Sequence, residues 1–374
     1  MKMLYFAFLA ATAAPVFAQQ DKGQEIVVTG TRLKDSERAL AECLKRKCPP
    51  EEDINASLAH AENLFVAGAY KDARMTAKAS IGRNARHAKG FPVPVSDLYR
   101  ANSRISAHLG EGGDYESSTW GIKRALRAGL PGSDPRLIGA DLEVASMQAA
   151  LHRIPAARIT YVRVEKDALA IGRPDLAALA RVRSAWLHQL EGDTALARKK
   201  LRVIAEDRAP ATALSRLTSL VLLARLDRKE GKVESSDALI AELKGAGFTR
   251  PTLLYSPPMQ LHTDGGNASE SGSTTRLLAT DNFDDRWADV GFWVKPDGRV
   301  ADAEILRESG KTNWMKLVLK SIEGRIYSPI KDGGEGSYRV ERYSYTSIWA
   351  DRTGTRLRQR SQEARVEFID LTED

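Results

Sequence analysis

The side chains that most often carry out chemistry are scattered along this chain. Its six histidines show neither the HExxH motif of zinc enzymes nor another paired-ligand spacing: His60, His87, His108, His152, His188 and His262. The chain also lacks a P-loop, a GxGxxG motif after a strand and a GxSxG nucleophile turn. Ser269 and Ser271 lie in a Gly- and Ser-rich stretch, which is a poor place to position a nucleophile. The sequence therefore predicts no catalytic residue, no metal site and no cofactor. A hydrolase with an unrecognised site is the weaker alternative.

The two cysteines, Cys43 and Cys48, are five residues apart. In an oxidising compartment such a pair most simply forms one local disulfide. A metal site would need further ligands nearby. A redox role would favour the Cys-x-x-Cys spacing of thiol oxidoreductases. We therefore predict a structural disulfide.

An acidic run precedes the C-terminal region, with aspartates at 281, 284, 285 and 289. Their spacing lacks the ligand pattern and the glycine of a calcium-binding loop. They are predicted to lie at a helix N-terminus or on a solvated face.

The composition is that of an ordinary water-soluble protein with room for two or three domains. The 374 residues are 43% hydrophobic and 28% charged, and the formal net charge is +7. The basic excess is spread thinly, and no compact Lys/Arg cluster is interleaved with aromatic residues. We therefore expect a solvated basic surface and no nucleic-acid partner.

The N-terminus has the anatomy of a secretory signal peptide. Lys2 supplies a positive charge, residues 4–17 are almost wholly apolar, and Val16 and Ala18 are small residues at the −3 and −1 positions before Gln19. An uncleaved membrane anchor is the alternative, but the apolar run is short and contains Pro15. The sequence predicts a periplasmic mature chain without an integral membrane span. Residues 19–50, which include the cysteine pair, are predicted to be a mobile N-terminal segment.

Residues 51–248 are predicted to form helical repeats. Similar units, in which apolar and small residues surround a turn, occur at 61–73, 107–115, 145–157, 185–197 and 223–233. A glycine such as Gly68, Gly113, Gly192 or Gly231 would allow the positive φ of a helix end. These units resemble the tetratricopeptide repeat (TPR), although the glycine spacing is nearer 40 than that family's 34. The resemblance implies an α-solenoid whose concave face binds a peptide or helix; the alternative is a spacer or a self-associating surface.

Residues 249–281, rich in Pro, Gly, Ser and Thr, are predicted to be a linker. Residues 282–374 are predicted to form a small α+β domain, with an antiparallel sheet of three or four strands and one helix. Alternation of Val290, Phe292 and Val294 indicates a strand, Pro296-Asp297-Gly298 a tight turn, and residues 299–306 a returning strand. Ser309-Gly310 ends that strand. A helix then follows, with Trp314, Leu317, Val318 and Ile322 on one face and Gly324 at its end.

This order of elements resembles the C-terminal domain of TonB energy transducers. The matching features are the Asp297-Gly298 turn, the Glu308-Ser309-Gly310 break, the helix and the exit Ile326-Tyr327-Ser328-Pro329. The tryptophan usual in that exit is missing. The fold class predicted for the whole chain is therefore α+β and multidomain, with an N-terminal α-solenoid of TPR-like hairpins followed by a TonB C-terminal-like module.

The TonB resemblance also implies a way of binding. In that family a Ton box adds as a strand to the sheet, and residues 25–32 resemble a Ton box, with Ile26, Val27, Val28 and Thr29 at its centre. The resemblance places the exposed edge on residues 338–349, whose candidate partner-binding residues are Tyr338, Val340, Tyr343, Tyr345 and Trp349. Tyr343, Tyr345 and Trp349 are expected to share one face.

The expected function is a non-enzymatic periplasmic adaptor. Its partner would be a TonB-dependent receptor or another component of a TonB system, and self-association through residues 25–32 is a further possibility. The alternative is a scaffold for the envelope or for peptidoglycan-associated machinery, with a purely structural C-terminal module.

Overall fold

The computed structural model describes residues 32–244, 251–257, 259, 286–329, 336–351 and 358–372. A mostly helical region is followed by small antiparallel sheets. The chain divides into two compact units at Ala145, and each is described by itself. The predicted signal peptide and the Ton-box-like residues Ile26 to Thr29 lie outside the described residues.

The first unit consists of helices. They are α1 (Leu33–Arg46), α2 (Pro50–Val66), α3 (Tyr70–Asn84), α4 (Pro92–His108), α5 (Gly112–Gly129) and the start of α6 (Pro135–Ala150). Proline begins α2 and α4, where its missing N–H costs no helical hydrogen bond. Ile54, Val95, Leu98 and Ala125 form a core between these helices.

The prediction of a mobile segment over residues 19–50 is wrong for residues 33–46, which form α1. Ser36 and Cys43 are buried on one face of this helix, and burial of a face stabilises a helix that sequence propensity alone leaves marginal. The predicted disulfide between Cys43 and Cys48 is present. It closes the turn in which Lys47 adopts a positive φ of 54° at the end of α1.

The second unit continues with α7 (Ile154–Ala170), α8 (Pro174–Leu190), α9 (Thr194–Ala205), α10 (Ala213–Lys229) and α11 (Val233–Lys244). Leu201, Leu220, Leu226 and Leu243 lie in one apolar core with small residues such as Ala224. Small side chains allow the helix axes to approach closely.

The helices are joined in pairs by one recurring turn. Gly68, Gly110, His152, Gly192 and Gly231 each have a positive φ, and successive members are about 40 residues apart. In each turn the next residue donates its N–H to the carbonyl five residues earlier, at 2.8–2.9 Å, as in a Schellman motif. Gly113, predicted as one of these turn residues, instead lies within α5. The same turn at Gly172 joins α7 to α8 and was not predicted.

His152 stands where the equivalent turns have glycine, which yields a testable prediction. A left-handed backbone costs a residue with a Cβ roughly 1–2 kcal/mol. We expect His152→Gly to raise the free energy of unfolding by about 0.5–1 kcal/mol, the gain being reduced by the backbone entropy of glycine. The matched substitution Gly192→His should lower it by about 1–2 kcal/mol, because nothing lies within 4 Å of a Cβ placed there and only conformation changes. Chemical denaturation measures both, and changes of equal sign would contradict the explanation.

The C-terminal module contains a four-stranded antiparallel sheet and one helix. Its elements are β2 (Trp287–Val294), β3 (Val300–Ser309), α12 (Met315–Glu323), β5 (Ser337–Asp351) and β6 (Arg358–Asp370), and the strand order is β3-β2-β5-β6. The predicted hairpin and helix are confirmed. Gly298 has a φ of 85°, and a Cβ there would collide with the carbonyl oxygen of Tyr327.

One face of the sheet packs on α12. Ala288, Val290, Phe292 and Val294 of β2 are fully buried against Met315, Val318 and Ile322 of the helix. Leu317, predicted on the buried face, is 37% exposed, and Met315 is buried instead. The final strand of the described sheet, β6, runs from Arg358 to Asp370.

A second, two-stranded sheet joins the module to the helices. It pairs β1 (Leu253–Tyr255) with β4 (Ile326–Tyr327). The predicted linker 249–281 is therefore wrong for residues 251–257; of the remainder, the structure describes only Met259. Leu254 is buried in the helical core, and Arg225 of α10 donates hydrogen bonds to the carbonyls of Leu253 and Leu254 at 3.1 and 3.2 Å. These contacts outweigh a composition that is typical of a flexible segment.

Candidate binding edge of the C-terminal sheet

The predicted binding strand is not at the edge of the sheet. β5 lies between β2 and β6 and pairs with both, so the placement of an open edge on residues 338–349 is wrong. The last strand of the chain, β6, takes the outer position next to β5. An alternation of side chains along a sequence indicates a strand, but it does not show which strands lie on either side of it.

The five candidate residues have different surroundings. Tyr338 and Val340 are partly buried. The Tyr338 ring packs against Gly291, and its centroid lies 5.2 Å from that of the Trp293 ring. Tyr343 is fully buried, whereas Tyr345 packs partly buried beside Trp314, at 5.7 Å between ring centroids. Trp349 lies beyond a register shift at which β6 has two more residues than β5, and it pairs with Arg360. The structure does not bring the five together as one surface.

On the face of the sheet that packs against α12, a buried polar network connects β5 to Arg325 and Tyr327. Arg325 donates to Glu341 at 2.8 and 3.0 Å and to the hydroxyl of Tyr343 at 2.7 Å, and Tyr343 donates to Glu341. Arg325 also donates to the Tyr327 hydroxyl at 3.1 Å. Burial, reinforced by the negative charge of Glu341, raises the pKa of Tyr327 and of Tyr343 well above the ordinary tyrosine value. Both tyrosines are therefore neutral hydrogen-bonding partners at physiological pH.

A second buried ion pair lies on the opposite face. Asp289 of β2 and Arg342 of β5 are direct neighbours across the ladder, joined by two hydrogen bonds of 2.6 and 3.0 Å. The Arg342 guanidinium lies 4.0 Å from the Trp287 ring centroid, and Arg307 also pairs with Asp289 at 2.6 Å. The prediction that Asp289 lies at a helix N-terminus or on a solvated face is wrong, since this residue is 1% exposed within a strand. Its only sequence signal is a charge inside an apolar strand.

The two outer strands of the described sheet differ in regularity. β3 contains two register shifts against β2, and Asp302 within it has a positive φ of 53°. Bulges of this kind twist an edge strand and discourage the addition of another strand. β6 pairs with β5 without interruption from Ala364 to Asp370. It therefore offers the more regular outer edge.

The hydrogen-bonding direction along β6 follows from its register. Leu371 donates its N–H to the carbonyl of Val340, at 2.7 Å, so its main-chain groups point toward β5. Because direction alternates along an antiparallel strand, residues 365, 367 and 369 also point inward. Residues 364, 366, 368 and 370 point their N–H and C=O groups away from β5. An incoming strand would bond to these four positions.

The side chains of β6 are fixed on both faces of the sheet. Val366 and Phe368 pack on the core beside Tyr343, and the Phe368 and Tyr343 rings stack with centroids 6.0 Å apart. Arg365 and Glu367 lie on the other face and form an ion pair at 3.2 Å. Burial raises the pKa of Glu367, and Arg365 lowers it in part. These contacts hold β6 in an extended conformation before any partner binds.

Among the residues that the structure describes, no group of three or more His, Cys, Asp or Glu side chains is placed to hold a metal ion. Within the same residues, no helix combines the length and apolar character needed to cross a membrane.

Similarity to known proteins is found among solved structures. No protein-family profile matches the chain, and no curated protein matches it. The crystal structure of BtubC (BKLC) from P. vanneervenii aligns over 56% of this chain and 87% of its own, with 11% sequence identity and a TM-score of 0.42. A similarity at this level carries no argument about fold or function.

Proposed function

We propose that this chain is a non-enzymatic, exported adaptor protein of the periplasm, related to TonB energy transducers. An extended segment of a partner adds to the outer edge of β6, and the helical hairpins hold a second partner. The observation that carries the proposal is the uninterrupted strand from Ala364 to Asp370, whose outward N–H and C=O groups no described strand pairs with. Main-chain groups already aligned in this way bind an extended peptide with little further ordering.

Two features support the family relationships. The order of hairpin, Ser-Gly break, helix and Pro-containing exit, seen at residues 287–329, supports a TonB C-terminal-like module. The recurring turn, about 40 residues apart, supports an α-solenoid of TPR-like pairs with extended repeats. The partner would be a TonB-dependent receptor or another TonB component, because in the TonB family a Ton box adds as a strand to the sheet of the C-terminal domain.

Proline substitutions at two neighbouring positions test the edge. The N–H of residue 364 points outward, so Ala364→Pro should spare the β5 ladder and weaken binding of a peptide with the sequence of residues 25–32 by about tenfold or more. The N–H of residue 365 points inward, so Arg365→Pro should destabilise the module instead. The binding constant comes from titration of a chain lacking residues 25–32, with amide shifts of residues 364–370 as the site readout.

Two outcomes would contradict the proposal. The peptide could leave the amide signals of residues 364–370 unmoved, or it could bind the Ala364→Pro chain as tightly as the unaltered one. Either result would remove strand addition at β6 as the mode of binding.

A further inference from the structure

The regular stretch of β6 is complementary in charge to itself when read in the antiparallel direction. Its centre is Arg365-Val366-Glu367, with a cation on one side of Val366 and an anion on the other. We propose that the outer edge of β6 pairs with β6 of a second copy of this chain, about a two-fold axis at Val366. This inference rests on the open edge of the proposed function and names a second copy as its occupant.

The main chain permits this register. Outward-pointing residues must face outward-pointing residues across a new antiparallel ladder, so residues 364, 366, 368 and 370 pair among themselves. With Val366 opposite the partner's Val366, Ala364 faces the partner's Phe368, and both pairs are hydrogen-bonded. Arg365 then faces the partner's Glu367 in a non-hydrogen-bonded pair, where opposite side chains lie closest.

Charge selects this register over its neighbours. Pairing about Val366 sets Arg365 against the partner's Glu367 and, by symmetry, Glu367 against the partner's Arg365. Shifting the pairing by two residues in one direction sets Arg365 against the partner's Arg365, and in the other direction Glu367 against the partner's Glu367. Like charges directly opposite are unfavourable, so only the central register joins both pairs.

Across the ladder, Arg365 faces Thr346 and Glu367 faces Ser344, both uncharged. The Arg365 and Glu367 side chains are 28% and 21% exposed, so they remain accessible to a second copy. A second β6 would place an opposite charge directly across from each of these two side chains, and the two sheets would become one continuous sheet. Self-pairing and addition of a partner segment would then compete for the same edge.

Charge reversal and charge swap on the full chain test the proposal. Glu367→Arg or Arg365→Glu alone sets like charges opposite each other twice, and should raise the dimer dissociation constant by at least about tenfold. The double variant Arg365→Glu/Glu367→Arg restores both pairs, along with the ion pair within the strand, and should restore the dimer. Sedimentation equilibrium measures the dissociation constant. A wild-type chain that stays monomeric, or a dimer unchanged by the single reversals, would overturn the proposal.

A cysteine at the two-fold axis gives an independent measurement. Val366→Cys should form a disulfide-linked dimer, because directly opposite Cα atoms lie within bridging distance. Arg365→Cys, opposite residue 367 of the partner, should not. Absence of the crosslink from a folded Val366→Cys chain would also overturn the proposed register.

The failure of this inference can be distinguished from failure of the proposed function. The single charge reversals leave the outward N–H and C=O groups of β6 unchanged, so they should retain binding of the peptide of residues 25–32. If that peptide binds and no dimer forms, strand addition stands and self-pairing is wrong. If the dimer follows the charge swap while the peptide never binds, self-pairing stands and the proposed function is wrong.

Discussion

Replacing Asp289 by asparagine is expected to lower the free energy of unfolding by about 3–5 kcal/mol, the usual cost of removing one partner from a buried ion pair. Arg342 has no exposed surface, and it keeps its positive charge when the carboxylate is lost. An asparagine can replace part of the hydrogen bonding, but it cannot supply the compensating charge. Equilibrium denaturation of the purified variant measures the effect.

The matched control is the same substitution at the surface of the same module. Asp297, 59% exposed, pairs with Arg299 at 3.7 Å, and it accepts a hydrogen bond from the Arg299 N–H at 3.0 Å. An asparagine there keeps the acceptor for that hydrogen bond and removes only an exposed charge, so Asp297→Asn should change stability by less than about 1 kcal/mol. Equal effects at positions 289 and 297 would show that the buried pair is not a special source of stability.

Alkaline pH is expected to unfold the C-terminal module through Tyr327 and Tyr343. Both pKa values are raised in the folded protein, first by burial and then by the charge of Glu341. The folded chain therefore keeps these two protons to a higher pH than the unfolded chain. The associated stability is fully present below about pH 10, the ordinary tyrosine pKa, and is lost as pH rises above it. The slope should approach about 1.4 kcal/mol per pH unit for each tyrosine.

Tyr343→Phe separates the two consequences of this network. At neutral pH the variant should lose about 1–3 kcal/mol, because Arg325 and Glu341 lose a buried hydrogen-bonding partner. Above pH 10 its stability should fall less steeply than that of the unaltered chain, since one titrating group is absent. Denaturation curves at several pH values, with tyrosinate absorbance recorded alongside, measure the slope. An unchanged slope would contradict the assignment of the alkaline transition to Tyr343.

How far the sequence predicts the structure depends on whether the deciding contact is local. The β2–β3 hairpin and α12 follow from an alternation of apolar residues, one turn and one helical stripe, all short-range signals. The sequence also predicts the helical pairs, but not the turns at His152 and Gly172, the first because it is not a glycine. The sequence does not identify the outer strand, because strand order depends on the pairing of β5 with residues 358–370. The sequence predicts a linker where β1 lies, because a composition of proline and polar residues gives no sign of the carbonyl contacts made by Arg225.

In the candidate site, too, the sequence predicts local features but not the contacts that depend on strand pairing. Tyr343 and Tyr345 were recognisable as residues of a strand, but only the fold shows that Tyr343 serves Arg325 and Glu341 rather than a partner. Asp289 and Arg342 are 53 residues apart in the chain and become neighbours only through the β2–β5 register. The direction in which each residue of β6 points its N–H group also follows only from that pairing. Spacing along a sequence contains no information on any of these three facts.

The short strand β1 determines where this protein can be divided. Ser328 donates its N–H to the carbonyl of Thr252 at 2.8 Å, while the Thr252 N–H donates to the Ser328 hydroxyl at 2.9 Å, and Leu254 lies in the helical core. A gene fragment starting at residue 282, where composition places the domain border, would encode a module without this strand. The ladder of β4 would be incomplete, and a helical fragment ending at residue 248 would lack the Leu254 side chain that belongs to its core. A functional recombination border or truncation therefore cannot separate residues 251–257 from either the helices or the C-terminal module.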